Sequence, residues 1–123
     1  MPSVKQVQVS FDCAEPVRVA RFWAETLSYQ AEYDDEQGGW AAAMDPTGAG
    51  PRLYFQRVPE GKVVKNRVHV CLEPGDRDRD AELDRVLALG ATVAADHREP
   101  GGTGWIVLLD PEGNEFCLTR RRS

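Results

Sequence analysis

An internal repeat is the feature of this sequence that most limits the folds open to it. Residues 39–48 match residues 104–113 at a constant offset, and each copy is an apolar run that begins with Gly-Trp and ends in Asp-Pro-x-Gly. In the closing turn, proline presets φ and glycine permits a positive φ. Because the same strand-and-turn pattern occurs twice, the chain is predicted to contain two related structural units.

The residues before each copy extend the repeat. Residues 4–13 alternate apolar and polar side chains, which is typical of a half-buried strand, and Pro16 then opens an amphipathic helix. In the second half, residues 67–72 are the matching strand and residues 78–89 the matching helix, which ends at Gly90. Three further strands are predicted after each helix, at residues 31–34, 40–44 and 52–56 in the first half and at residues 92–95, 105–109 and 115–119 in the second.

This order predicts an α+β fold made of two pseudo-symmetric βαβββ modules. Module 1 is expected at about residues 4–57, a connector at about 58–65 and module 2 at about 66–120, all within a single domain, 1–123. Each sheet would bury one face against its helix. The two modules are therefore expected to form a curved mixed sheet around a cleft, with the helices on the outer face.

Length and charge narrow the classes of function. With 123 residues the chain has room for one domain. Its net charge of −5 argues against nucleic acid and anionic membranes as main partners. No apolar run is long enough to span a bilayer, and residues 1–5 lack a signal-peptide pattern, so we expect a cytoplasmic protein. Its three cysteines show no CxxC spacing and are expected to be free thiols.

Several segments resemble a known superfamily. The doubled βαβββ order, the Asp-Pro-x-Gly-Asn turn at residues 110–114 and the strand at residues 69–72 resemble the vicinal oxygen chelate superfamily. That superfamily includes glyoxalase I, extradiol dioxygenases, fosfomycin-inactivating transferases and bleomycin-sequestering proteins. The closer resemblance is to its small glyoxalase-like proteins and rests on residues 11–14, 21–24, 51–56, 65–69 and 110–118. It covers the chain from about Val7 to Leu118 and implies the fold predicted above, while it leaves the reaction open.

The resemblance also implies a place for a metal. In the superfamily, side chains from the first and last strand of each half hold a divalent ion. The matching positions here are Gln8, Tyr54, His69 and Cys117. The family's ligands in this order are commonly His or Gln, Glu, His and Glu. Tyr54 and Cys117 stand at the two Glu positions here, so both carboxylates are absent, and the phenol of Tyr54, whose ordinary pKa is near 10, is a poor replacement. Mg²⁺ or Mn²⁺ would find no anionic oxygen, so we expect no metal cofactor. The alternative is a softer ion such as Zn²⁺ on His69 and Cys117, with Gln8 and water completing the shell.

Polar and aromatic side chains on one face of the predicted strands are the candidate ligand-binding residues: Gln8, Arg52, Tyr54, Gln56, His69, Cys71, Trp105 and Cys117. His69 is the candidate catalytic residue; the alternative is a histidine that is only hydrogen-bonded within the cleft. Arg52 would either clamp an anion or lie at the surface of a strand end. Trp40 and Trp105 occupy equivalent places, which fits packing within each half or stacking on a ligand. The acidic stretch that begins at Glu32 is expected to be a solvated hairpin end.

Three functions are compatible with these residues. The first is binding of a small organic molecule in the cleft, for sequestration or sensing, without the family's usual metal. The second is a lyase- or isomerase-type reaction that uses a divalent metal, or His69 and Tyr54 as metal-free acid and base. The third is sequestration of a drug, as in the bleomycin-binding relatives. A homodimer is the expected assembly.

Overall fold

The computed structural model describes residues 4–34 and 38–120. The elements in chain order are β1 (Gln8–Cys13), α1 (Pro16–Leu27), β2 (Gln30–Tyr33), β3 (Trp40–Met44), β4 (Arg52–Arg57), β5 (Val70–Leu72), α2 (Arg79–Leu89), β6 (Thr92–Asp96), β7 (Trp105–Leu109) and β8 (Glu115–Thr119). The predicted α+β fold with βαβββ order in each half is confirmed. The first strand begins at Gln8 rather than at residue 4, and residues 4–7 are exposed. No helix in the described ranges is long and apolar enough to cross a membrane.

The chain divides into two compact units whose boundary lies between Lys62 and Val63, inside the predicted connector. Each unit contains one four-stranded mixed sheet. In the first module the strand order is β1-β4-β3-β2, with β1 parallel to β4 and the other neighbours antiparallel. In the second module the order is β5-β8-β7-β6, with β5 parallel to β8. In both modules, therefore, side chains from the first and last strands become neighbours.

The first module buries its apolar side chains between α1 and one face of its sheet. Pro16 occupies the first helical turn, where its missing N–H costs nothing, and the helix ends at Ser28 with a left-handed φ of 58°. Trp23 and Phe55 are fully buried, and Phe11 stacks on Phe55 with ring centroids 5.1 Å apart. Each such side chain contributes about 1.5–3 kcal/mol through burial. This face of the sheet is thus occupied by the core.

The second module is built in the same way around α2. Asp78 caps the helix by accepting a hydrogen bond from the Ala81 amide at 2.8 Å, and Gly90 closes it with a φ of 123°. The core of this module contains four fully buried strand side chains: Ile106, Leu108, Phe116 and Leu118. They alternate with more exposed residues along β7 and β8, so the predicted period of two residues is confirmed.

Both Asp-Pro-x-Gly turns form as predicted. Asp110 accepts hydrogen bonds from the Glu112 amide at 2.8 Å and the Asn114 amide at 2.9 Å, while Gly113 adopts a φ of 84°. Asp45 has the same role in the first module, where it accepts hydrogen bonds from two backbone amides at 2.8 Å. Glycine ends each turn because a side chain at such a φ would be strained.

The strand that opens the second module is shorter than predicted. β5 begins at Val70 rather than at residue 67, and His69 lies just before it in an irregular segment. Val68, inside the predicted strand, is 75% exposed. The predicted strand position of His69 is therefore wrong. The physical reason is that the Asn66 amide donates to the Glu115 carboxylate at 2.9 Å, so a side chain takes the place of a strand partner.

Candidate functional site

One face of the first sheet lies away from α1. Because side chains alternate along a strand, those that flank the core residues Leu53 and Phe55 point to the opposite face. This surface is called here the helix-free face of the first module, and it carries Gln8, Ser10, Asp12, Trp40, Arg52, Tyr54 and Gln56. The register places Gln8 directly opposite Arg52 on the parallel strands β1 and β4. The four ligand-binding residues predicted in this half therefore share one surface.

Arg52 is held from three sides on this face. Its Nη1 donates to Gln8 Oε1 at 2.5 Å, and its Nη2 lies 3.5 Å from the Glu32 carboxylate. The guanidinium also lies 5.7 Å from the centroid of the Tyr54 ring, within the range of a cation–π contact. An incoming anion would have to compete with Glu32 for the same charge. Glu32 was not predicted as a site residue, and residues 35–36 of its acidic stretch lie outside the described residues.

An aromatic pair lies beside this arginine. The Trp40 and Tyr54 rings are nearly parallel, with an interplanar angle of 16° and centroids 6.1 Å apart. Both side chains are half-buried. Next to them, Gln56 Nε2 donates to Asp12 Oδ1 at 3.2 Å. The face thus combines an apolar aromatic surface with amide and carboxylate groups at its edge, which is the composition of many small-molecule sites.

The second sheet has a corresponding helix-free face. It carries Cys71, Trp105, Val107, Cys117 and Thr119, which alternate with the core residues of β7 and β8. Cys71 is exposed and lies directly opposite the half-buried Cys117. Trp105 is 44% exposed, and its ring centroid is 4.9 Å from that of His97. The exposed Trp105 and the half-buried Trp40 thus have different surroundings, although their positions in the repeat are equivalent.

The thiol of Cys117 is not activated for nucleophilic attack. Burial raises its pKa above the ordinary value of 9.0, and the neighbouring Cys71 thiol raises it further. The positive charge of Lys65 acts in the opposite direction without reversing the shift. Because the thiolate is the reactive form, Cys117 is a neutral thiol and a weak nucleophile at neutral pH.

His69 lies at the edge of an open basic depression. The depression has a volume of about 590 Å³ and is lined by Val64, Lys65, Asn66, Arg67 and His69. His69 is exposed, and its Nε2 lies 3.0 Å from the Asn66 carbonyl oxygen. Since a carbonyl oxygen only accepts hydrogen bonds, Nε2 must carry the proton in this contact. In the neutral imidazole, Nδ1 then keeps its lone pair and can accept a proton.

The predicted Asp-Pro-x-Gly-Asn turn holds this depression in place. Asn66 Nδ2 donates to Asn114 Oδ1 at 3.0 Å, and the Asn114 amide group in turn donates to Asp110 at 3.0 Å. Asp110 and Asn114 are only 4% and 7% exposed. Lys65, Asn66 and the neighbouring arginine were quoted from the sequence for their resemblance, not as site residues. The positive charges of Lys65 and Arg67 next to His69 are the feature of the sequence that could have indicated this depression.

The donors at the superfamily's ligand positions do not fit a hard divalent ion. Among residues 4–34 and 38–120, no group of three or more His, Cys, Asp and Glu side chains is placed to hold a metal. In the first module, Gln8 Oε1 already accepts from Arg52, whose positive charge also lies close to Tyr54. A fixed cation beside two candidate ligands opposes binding of a second cation. In the second module, the raised pKa of Cys117 opposes the thiolate that a metal requires.

Comparison with known proteins places this chain in a family. The sequence profile described as "Glyoxalase-like domain" matches residues 8–119. The chain belongs to the glyoxalase-like domain family. No functionally curated protein matches the sequence. The resemblance seen in the sequence is therefore confirmed at the level of the family.

Solved structures show the same fold. A fosfomycin resistance protein FosX from Mesorhizobium loti is 15% identical, covers 100% of this chain and 95% of its own, and has a TM-score of 0.69. A glyoxalase/bleomycin resistance protein/dioxygenase family enzyme from Burkholderia phytofirmans PsJN is 17% identical over 94% and 97% of the two chains, with a TM-score of 0.67. A mutant FosX from Listeria monocytogenes, in complex with Mn(II) and 1S,2S-dihydroxypropylphosphonic acid, is 15% identical over 99% and 93%, with a TM-score of 0.70. These identities show a shared fold alone.

Proposed function

We propose that this glyoxalase-like protein binds a small organic molecule on the helix-free face of its first module, without a divalent metal. The observation that carries the proposal is the parallel pair of Trp40 and Tyr54, which lies beside Arg52 and the Gln56–Asp12 hydrogen bond. Aromatic surfaces favour flat rings, since stacked pairs gain about 0.5–1.5 kcal/mol beyond burial alone. The amide and carboxylate groups at the edge would orient such a ring.

The charge at this site favours an uncharged ligand over an anion. Arg52 already has Glu32 within 3.5 Å, and the side-chain oxygen of Gln8 accepts from the same guanidinium. A ligand carboxylate would gain little unless Glu32 moved, whereas a neutral polar ring would leave the ion pair intact. The proposed ligand class is therefore a flat, polar, uncharged organic molecule.

A compound screen with a matched pair of tyrosine variants tests this proposal. Compounds of this class are screened on the full chain by thermal shift, and the affinity of each binder is measured by calorimetry. Tyr54→Leu should weaken binding about 2- to 10-fold, the range that loss of one aromatic contact predicts. Tyr33→Leu is the control, because Tyr33 is exposed and contacts Arg21 rather than the aromatic pair. The proposal fails if no compound binds, or if both variants weaken binding equally.

Drug sequestration is the same binding event without turnover. The neighbours described as fosfomycin resistance proteins make fosfomycin a useful probe, although fosfomycin is an anion and the first module favours a neutral ligand. After incubation with the full chain, each binder is recovered and examined by NMR. Recovery of the unchanged compound supports sequestration or sensing, while a changed compound supports an enzyme.

The enzyme alternative rests on His69. Its exposed imidazole, with Nε2 engaged by the Asn66 carbonyl, presents Nδ1 as a base beside Lys65 and Arg67. If a changed compound is found, His69→Gln should abolish turnover with an unchanged melting temperature. His97→Gln is the matched control, because His97 is exposed and lies against Trp105. Turnover that persists in His69→Gln would contradict this role.

The metal content of the purified protein distinguishes metal-free binding from the soft-metal alternative. Elemental analysis of the purified chain, before and after incubation with Zn²⁺ or Mn²⁺, should find no stoichiometric metal. Zinc that binds to the wild type and is lost in both His69→Ala and Cys117→Ala would instead support the soft-metal alternative. The homodimer and the cytoplasmic location stay predictions. Light scattering during size-exclusion chromatography gives the molar mass in solution and so tests the homodimer.

A further inference from the structure

Two cysteines face each other on the helix-free face of the second module. Cys71 in β5 and Cys117 in β8 are direct register partners on neighbouring parallel strands. Neighbouring strands lie about 4.7–4.9 Å apart, which is inside the range of Cα separations that a disulfide spans, about 4.4–6.8 Å. Both side chains have the parity opposite to the core residues Phe116 and Leu118, so they point to the same side of the sheet.

The two thiols differ in their access to solvent. Cys71 is exposed and Cys117 is half-buried. They are close enough to interact, since they are direct register partners on neighbouring strands and point to the same face. Redox-sensitive cysteines are solvent-accessible and often lie next to a second cysteine that resolves the first product.

We propose that Cys71 and Cys117 form a reversible modification site for low-molecular-weight disulfides, which oxidise the pair to a cross-strand disulfide. In the first step, the Cys71 thiolate attacks a sulfur of the external disulfide. A mixed disulfide forms, and one small thiol leaves. In the second step, Cys117 loses its proton and attacks the Cys71 sulfur, which releases the second small thiol. Cys117 is a weak nucleophile towards external reagents, but this attack is intramolecular, and the proximity of the two sulfurs compensates for the small fraction of thiolate. The two cysteines lose two electrons and two protons, and the external disulfide gains them as two thiols.

The geometry also explains why the bond would be reversible. The Cβ atoms of a disulfide usually lie about 3.5–4.5 Å apart, whereas side chains of direct partners on parallel strands start nearly parallel and one strand spacing apart. Closing the bond therefore strains the strand pair, and strained disulfides are the ones most easily reduced. The bond would fasten β5, a three-residue strand at the edge of its sheet, to β8.

The third cysteine supplies an internal control. Cys13 is 4% exposed, and its Sγ lies 3.5 Å from the Gln56 carbonyl oxygen. It lies in the first module, on the face that packs against the core. A reaction that depended only on the presence of a thiol would not distinguish Cys13 from the pair, whereas the proposed reaction leaves Cys13 reduced.

Intact-mass analysis of the full chain with oxidised glutathione tests the proposal. The wild type should lose the mass of two hydrogens and two of its three titratable thiols, and dithiothreitol should restore both. Cys117→Ser should stop at one glutathionyl adduct on Cys71, while Cys71→Ser should react far more slowly. Cys13→Ser should behave as the wild type does.

Any of three results would overturn the proposed Cys71–Cys117 disulfide. The wild type keeps all three thiols after treatment, it carries a stable glutathionyl adduct at Cys71, or its disulfide includes Cys13. Circular dichroism of each serine variant before oxidation shows whether the fold is intact. The Cys13→Ser variant keeps the test decisive if one of the other two fails to fold, because it contains only the proposed pair.

Discussion

The turn at the end of the second repeat should be sensitive to a single polar substitution. Asp110 is 4% exposed, and its carboxylate accepts from the Glu112 amide at 2.8 Å and the Asn114 amide at 2.9 Å. It also accepts from Asn114 Nδ2 at 3.0 Å. Asp110→Ala removes the acceptor and leaves every one of these N–H groups in place, and those of the buried Asn114 have little access to water.

The expected cost follows from the donors left behind. A hydrogen bond to a charged group contributes about 1.5–3 kcal/mol, and a buried donor without a partner costs about 1–3 kcal/mol. Because the Glu112 amide can recover part of its bonding from water, we expect Asp110→Ala to lower the free energy of unfolding by about 3–4 kcal/mol. Asn114 would also lose its orientation, and with it the contact to Asn66 that holds the basic depression.

The internal repeat supplies a matched control. Asp45 accepts from the Thr47 and Gly50 amides in the equivalent turn, but Thr47 is exposed and water can replace the carboxylate there. Urea unfolding of both alanine variants measures the difference between their free energies of unfolding. The dependence of this free energy on urea concentration is compared as well. Asp110→Ala should be clearly the more damaging. A loss below about 1 kcal/mol, or one equal to that of Asp45→Ala, would refute the assignment of the buried network as the source of stability.

Two further substitutions probe the second module. Arg79, which is 9% exposed, donates through Nη1 to three backbone carbonyls of the glycine-rich loop before β7, at 3.0–3.3 Å. Arg79→Met should cost about 2–3 kcal/mol in urea unfolding, and Arg79→Lys should recover part of this loss, because a lysine ammonium can donate to these carbonyls but lies one bond closer to the backbone than Nη1; no recovery at all would contradict the assignment of these contacts as the source of the loss. Glu82 accepts from Arg85 Nε at 2.6 Å, and this bond lowers the pKa of Glu82 below its ordinary value of 4.5. Its stabilisation is therefore present above that value and lost as the pH falls through the lowered folded-state pKa. The melting temperature of Glu82→Gln should lie below that of the wild type at about pH 7, and the difference should shrink as the pH falls below 4.5. A constant difference across that range would show that the ion pair is not the cause.

The helix ends and turns could be predicted from the sequence, because they depend on residues that are close together in the chain. Proline in the first turn of α1, Asp78 and Gly90 at the ends of α2, and the Asp-Pro-x-Gly turns each act within a few residues of themselves. The position of His69 depended instead on Glu115, a partner far along the chain that holds the Asn66 amide. No periodicity within residues 67–72 reveals that contact, so the alternating pattern predicts a strand that is longer than the observed one.

The same distinction explains why the repeat predicts the fold better than it predicts the site. Side chains that face a helix must pack at close density, so both modules keep apolar residues there, and the pattern remains visible in the sequence. Side chains on the helix-free faces are under no such constraint. One face carries the Arg52–Glu32 pair and an aromatic stack, and the other carries two thiols and an exposed tryptophan. Equivalent positions in the repeat therefore predict equivalent backbone, and the chemistry of each face has to be established residue by residue.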